Sequence, residues 1–403
     1  MNMGKQSEHY LHVDSRLFVW MREIRRHLHR NPELSLQELR TATYIRAKLE
    51  ELGIESRGGV GGTGVVAEIG SADSDIVVGL RADMDALPIT EASGRSFASI
   101  NRGIMHACGH DGHVAMLLGA AALLCGMDLP GRVRLLFQPA EEKGNGAAKM
   151  VEDGATQDLG AIFAGHIDTH YRTGTITVDE GIICAYADPF VIALRGSSGH
   201  AARPHETRDT IIAAAGLVTT LQSLVAREVD PNHAAVLTVG KIQAGEIHNV
   251  IAGDAVIEGT IRSTHPDARK RLLSGLARMV HGASSLYSVE MELVFPEALP
   301  ALINNGSAAA VAAVAAAGVV SEGNVVSQGP SSLGGEDFAF YLQQVKGCLV
   351  RFGALVSDET GPAHSSTFDF DEVVLSVGAA WYAQVALRYL QDRLSSLKKR
   401  EYS

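Results

Sequence analysis

Cysteine is scarce in this sequence: among 403 residues there are only Cys108, Cys125, Cys184 and Cys348. They are too scattered for a disulfide framework, so a reducing cytoplasm is the expected location. Positive charge is also short. Thirty-five Lys and Arg against 46 Asp and Glu leave a formal net charge of -11, which argues against a broad phosphate-binding surface and so against nucleic acid as a partner. The longest alanine-rich run, residues 307–320, is too short to span a bilayer and reads as a packed helix, so no membrane partner is expected. The opening residues, Met-Asn-Met-Gly-Lys-Gln-Ser-Glu-His, lack the apolar core of a signal peptide, and export is not expected. There is no internal repeat. What remains is ordinary globular composition, 46% hydrophobic and 20% charged, in a chain long enough for two domains.

Against that background one stretch stands out. His106-Ala-Cys-Gly-His-Asp-Gly-His113 gathers three imidazoles, a thiol and a carboxylate ahead of an apolar run over 114–124. In an extended turn, Cys108 and His110 would point to one side and reach the same metal or metal pair. Thiolate with imidazole suits zinc and similar transition metals rather than magnesium or calcium. The bland alternative is a histidine-rich helix entry capped by Asp111.

The spacing predicts a helix over 15–30, ended by Pro32, and a second over 36–52 with Gly53 as its cap. His27 and His29 near the end of the first are expected to meet its terminal carbonyls. Gly59-Val-Gly-Gly-Thr-Gly64 fits G-x-G-x-x-G, but a β-rich segment follows it where a dinucleotide site needs a helix, so it reads as a hairpin loop. Apolar runs over 76–80, 133–137 and 161–164 read as buried strands alternating with helices over 114–124 and 146–152, the pattern of a mostly parallel, doubly wound α/β sheet. Arg81-Ala-Asp83, Glu141-Glu142 and His166 are expected just after those strands, where open α/β sheets bind ligands. Neighbouring residues at a strand end face different ways, so one of Glu141 and Glu142 would bind metal while the other faces water. From about residue 184 the order becomes β-α-β-β-α-β, a ferredoxin-like module. The expected organisation is a catalytic domain over 1–183 and 297–403 with a ferredoxin-like α+β insertion over 184–296. A strand over 348–352 and a closing helix over 371–394 would flank His364.

These motifs, with Phe137-Gln-Pro-Ala-Glu-Glu142, Gly199-His-Ala-Ala-Arg-Pro-His205, His248-Asn-Val-Ile251, Gly259-Thr-Ile-Arg262 and Gly335-Glu-Asp-Phe338, resemble the aminoacylase and glutamate-carboxypeptidase family of dinuclear metallohydrolases. More narrowly, they resemble its amidohydrolase branch, which includes hydrolases of hippurate and of indole-acetyl amino acids. The resemblance implies two divalent metals, such as manganese, zinc, cobalt or nickel, held by Cys108, His110, Glu142, His166 and His364. It implies Glu141 as general base toward metal-activated water, His200 as oxyanion donor, and Asn249 and Arg262 as holders of a substrate carboxylate. It also implies that the insertion is a lid that mediates a homodimer. Two divalent ions outweigh the thiolate, Glu142 and a hydroxide, which again favours a small amide substrate bearing a carboxylate. Arg81-Ala-Asp83 stands where the broader family has His-x-Asp, so Arg81 is not assigned to metal. Gly165-His-Ile-Asp-Thr-His170 departs from the relatives' proline-containing pattern, leaving Asp168 and His170 as pocket residues or added ligands. The expected activity is hydrolysis of an N-acyl amino acid or related conjugate. The alternatives are a dipeptidase or aminopeptidase on the same metals, a Cys108-nucleophile hydrolase, and a non-enzymatic metal-binding scaffold.

Overall fold

The computed structural model describes residues 11–356 and 360–401; the expectation for the first nine residues lies outside them. Helix α1, Ser15–Arg30, starts where the Asp14 carboxylate accepts from Leu17 N at 2.8 Å, the usual satisfaction of an orphan N-terminal donor. Its buried stripe is Met21, Ile24 and Leu28. Helix α2, Leu39–Glu51, begins three residues later than the spacing predicts because Leu36 takes a left-handed conformation, φ 64°. Strands β1, Ser56–Val60, and β2, Gly64–Gly70, form the antiparallel hairpin around the glycine loop. There follow β3, Val77–Asp83, α3, His110–Leu124, β4, Arg132–Gln138, α4, Gly146–Glu152, β5, Ala161–Arg172, and the short β6, Ile176–Thr177.

The chain divides into two compact units. One is Met1–Gly181, Ile303–Gly329 and Asp337–Ser403; the other is Ile182–Leu302 and Pro330–Glu336. Residues 297–302 and 330–336 thus pack with the second unit rather than the first. That second unit contains β7, Tyr186–Arg195, α5, Thr210–Glu228, β8, Ala235–Ala244, β9, Asp254–Ser263, α6, Pro266–Tyr287, and β10, Glu290–Val294. Its four strands pair antiparallel in the order β8-β9-β7-β10, the arrangement a β-α-β-β-α-β chain gives when both helices cover one sheet face. Helix α5 is long and apolar enough to cross a membrane, but its Ala213, Leu217, Leu221 and Leu224 join this unit's core with Phe190, Ile257 and Leu276.

Returning to the first unit, the chain adds α7, Gly306–Val320, β11, Val325–Val326, β12, Gly347–Leu355, and α8, Val374–Glu401. The strand order is β1-β2-β4-β3-β5-β12-β6-β11, with β4, β3, β5 and β12 parallel at its centre. Helix α3 is buried along almost its whole surface, as expected of a helix apolar all round. Trp381 on α8 is buried too, its indole N–H donating to Ala312 O of α7 at 3.2 Å. Next to it, the Tyr382 hydroxyl donates to Arg81 O and accepts from Gly165 N, at 2.8 and 2.9 Å. One side chain thereby pins β3 to β5 where their carboxyl ends diverge, and that is where the chemistry-bearing residues gather.

Candidate metal centre

Each candidate donor in the first unit comes from the carboxyl end of a central strand or the loop after it. Cys108 precedes α3; Gly109 is left-handed, φ 95°, and His110 opens the helix. The turn is therefore tight, not extended, and it is glycine that allows thiol and imidazole to face one space. Asp111 does not cap the helix: its carboxylate is taken by Arg25 Nε at 3.0 Å and His29 Nδ1 at 2.8 Å. Arg81 and Asp83 lie within β3, and His166 within β5, because both strands run further than their apolar cores. Glu141 and Glu142 sit in a turn beyond β4 rather than on alternating strand positions. Both side chains consequently come toward His110, each with a carboxylate oxygen 3.9 Å from Nε2. His364, between β12 and α8, is left-handed at φ 67° and held by a hydrogen bond from its N to Ala107 O at 2.7 Å.

Five side chains expected to bind metal are thereby brought together. The donor atoms of Cys108, His110 and His166 lie within 4.8 Å of one another, as do those of Cys108, Glu142 and His364. Cys108 is common to both groups; its Sγ is 3.5 Å from His166 Nε2, and His364 Nε2 is 3.5 Å from Glu142 Oε1. Glu141 forms a further group with His110 and Glu142. The ring orientations suit metal binding. His110 Nδ1 is 3.0 Å from Asp85 O and His166 Nδ1 is 2.6 Å from Ile167 O; donating there leaves each Nε2 lone pair for a metal. Buried His110 Nε2 and Glu142 Oε1 make no hydrogen bond among the described residues. Such orphaned atoms are costly unless an ion or water takes them, so the donor set fits transition-metal ions of the thiolate and imidazole type.

Electrostatics follow from crowding. Burial pushes the Cys108 thiol far above its ordinary pKa and raises the Glu142 carboxyl. Burial, then His113, hold His166 well below the usual histidine value, with Arg351 adding to the effect. For His110 burial acts downward, but the Asp83 carboxylate and the bond to Asp85 outweigh it and raise the ring. A thiol with its pKa raised in this way is a poor nucleophile on its own, whereas cations among the same donors would stabilise thiolate.

A second layer fixes the first. Asp85, two residues beyond β3, was not singled out in the sequence, although a carboxylate at that strand end was the available signal. It accepts from Glu141 N and Glu142 N at 3.1 Å each and from Ser35 Oγ at 2.6 Å, and lies 3.3 Å from His110 Nδ1. His113 accepts from Ile167 N at Nε2, 2.8 Å, so its Nδ1 donates to Asp83, 2.6 Å. Asp83 also takes Arg81 Nη1 at 2.7 Å; Arg81 is thus a buried ion-pair partner. His106 is buried and joins no donor group among the described residues; burial lowers its pKa to about 4, keeping it neutral. His29 does not meet helix carbonyls: its ring lies between Asp111 and Glu91, at 2.8 and 3.2 Å. His27 instead stacks on Tyr44.

In the second unit, His200 and Asn249 are brought side by side. Gly199–His200 pairs with Val250–Ile251, and Ala201 N donates to Asn249 O at 3.1 Å. His200 Nδ1 accepts from Ala202 N at 3.0 Å, which places the ring proton on exposed Nε2. Arg262 stands on β9 and donates from Nη1 to Leu333 O at 3.0 Å. Asp168 and His170 join no donor group among the described residues; they pair with one another at 2.7 Å.

The profile of peptidase family M20/M25/M40 matches residues 79–388. N-acetyl-L-cysteine deacetylase of Bacillus subtilis (strain 168) is 39% identical over 375 residues, covering 93% of this chain and 89% of the relative. IAA-amino acid hydrolase ILR1-like 2 of Arabidopsis thaliana is 38% identical over 388 residues, covering 94% and 87%. Among solved structures, a dinuclear metal binding peptidase of Bacillus subtilis superposes with a TM-score of 0.81 at 36% identity, covering 94% of this chain and 99% of that one.

Proposed function

This chain belongs to peptidase family M20/M25/M40 and is a hydrolase of amide or peptide bonds, and we propose that its substrate is an N-acyl amino acid or related conjugate, cleaved with Glu141 as general base. The observation that carries the reading is the convergence of Cys108, His110, Glu142, His166 and His364 on one space with Glu141 beside it. Those five residues would hold two divalent ions, which when bound acidify water and polarise an amide carbonyl. Glu141 takes a proton from the attacking water and returns it to the departing nitrogen. Asp85 holds the backbone of the Glu141-Glu142 turn so that base and ligand keep their separate posts. His200, with its proton on Nε2, is suited to donate to a developing oxyanion; Asn249 and Arg262 are the proposed carboxylate contacts. A thiolate and one carboxylate do not balance two divalent ions, which favours an anionic substrate.

A carboxylate placed as a base beside the donor set disfavours a purely structural site, which is normally closed by four ligands. A cytoplasmic homodimer completes the proposal; light scattering that returns a monomer, or fractionation that places the protein elsewhere, would remove those two parts. The deciding test is amine release from a panel of N-acyl amino acids and dipeptides by metal-stripped protein reloaded with manganese, zinc, cobalt or nickel. Metal-restored cleavage of acylated substrates is expected. Cleavage of free-amine dipeptides alone would move the protein to the peptidase side, and no turnover with metals bound would reject the substrate class.

A further inference from the structure

One charged group beside the donor set has no task in this chemistry. In the parallel register of β5 and β12, Arg351 stands opposite His166 and Gly353 opposite Asp168. Register partners share a sheet face, so Arg351, His166 and Asp168 project together. Gly353 puts no side chain opposite Asp168, and Arg351 leans across to it, Nη1 to Oδ2 at 3.3 Å, while its Nε donates to Gln328 Oε1 at 3.2 Å. The other carboxylate oxygen of Asp168 accepts from His170 N and lies against His170 Nδ1, at 2.9 and 2.7 Å. Both side chains of the pair are largely buried, 16% and 12% exposed. A buried ion pair is weak evidence for stability, since apolar residues of similar volume commonly serve as well. Its placement one strand from a metal donor is the informative feature.

We propose that Arg351, steadied by Asp168 and Gln328, is a specificity-determining residue that receives a second anionic group of the substrate, beyond the carboxylate next to the scissile amide. Asp168 is engaged through both oxygens, so the pair presents a donor rather than an acceptor, and a substrate ammonium is the poorer match. Guanidinium offers N–H groups in a fork that fits carboxylate. The second acid belongs either to the amino-acid side chain or to a dicarboxylic acyl group. This inference rests on the amidohydrolase reading.

The experiment measures kcat/KM of the metal-loaded enzyme for N-acetyl-leucine, N-acetyl-glutamate and N-succinyl-leucine. One acidic substrate is expected to exceed N-acetyl-leucine by about tenfold or more, the worth of a charge-assisted hydrogen bond; which one it is identifies the side that carries the acid. R351L should lower that acidic-to-neutral ratio by about tenfold, mainly through KM, and R351K, which keeps charge without the fork, should restore part of it. D168N, which weakens the contact that steadies the guanidinium, should lower the ratio in the same direction as R351L but by less. A wild-type ratio near one for both acids, or an R351L loss proportional on all three substrates, overturns the assignment while leaving the amidohydrolase reading intact. No cleavage of any substrate with metals bound overturns both.

Discussion

Removing Asp85 tests whether the metal donors are held by the layer behind them. Its buried carboxylate accepts from Glu141 N, Glu142 N and Ser35 Oγ and lies 3.3 Å from His110 Nδ1. In D85A three donors lose their acceptor. Leaving a buried donor unmade costs about 1–3 kcal/mol, but water can enter the vacated volume, so about 3 kcal/mol of stability is the expected total. Metal affinity should fall about 10–100-fold, the usual effect of losing an outer-shell partner. D85N separates charge from shape: Glu141 N approaches one oxygen and Glu142 N the other, so the amide satisfies one and opposes its NH2 to the second. Its loss of affinity should approach that of D85A with less loss of stability. S35A, which removes one hydroxyl, is the control and should cost about 1 kcal/mol with little effect on metal. Competition against a chromophoric chelator reads affinity, and thermal unfolding of metal-free protein reads stability. If D85A and D85N both bind metal as tightly as the parent, Asp85 does not hold the metal donors in place.

E141Q should keep its metal and lose about 10²–10⁴-fold in turnover; metal loss with activity preserved would reject Glu141 as base. C108A, which removes the donor common to both groups, should bind metal more weakly and lose turnover, and undiminished metal binding would count against Cys108 as a ligand. His29, whose pKa is raised to about 8 against burial by Asp111 and Glu91, should contribute about 2 kcal/mol that is fully present below pH 6.5 and lost as pH rises through 8. Unfolding midpoints of the parent and H29Q should therefore converge over that window, and parallel pH profiles would refute the assignment. A Cβ on Gly112 would stand 2.6 Å from Ile167 Cδ1 and 2.7 Å from Phe370 Cζ; G112A should destabilise by about 1–3 kcal/mol, and a neutral result would show that these neighbours move aside.

The alternation of apolar runs with helical spacing was enough to foresee the α/β sheet and the β-α-β-β-α-β order, because burial on both faces of a strand and on one stripe of a helix leaves different periods. Strand ends were less visible. β5 continues through His166 to Arg172, since a strand entering a polar site loses its apolar signature while keeping its hydrogen bonds. The Glu141-Glu142 pair is hidden for a related reason: strand alternation does not extend to it, because β4 ends at Gln138 and a turn supervenes. His29 and Asp111 lie far apart in sequence, as do Asp168 and Arg351. No local pattern announces such pairs, because their meeting is decided by strand order.

The two donor groups differ in when the growing chain can supply them. Cys108, His110 and His166 have all been synthesised once β5 is made, whereas the group containing Glu142 waits for His364, which follows β12. One ion would therefore have its ligands in hand while much of the polypeptide is still missing, and the other would not. Occupancy of the second position becomes a mark of a chain made through His364, and metal counting on H364A should return the lower number.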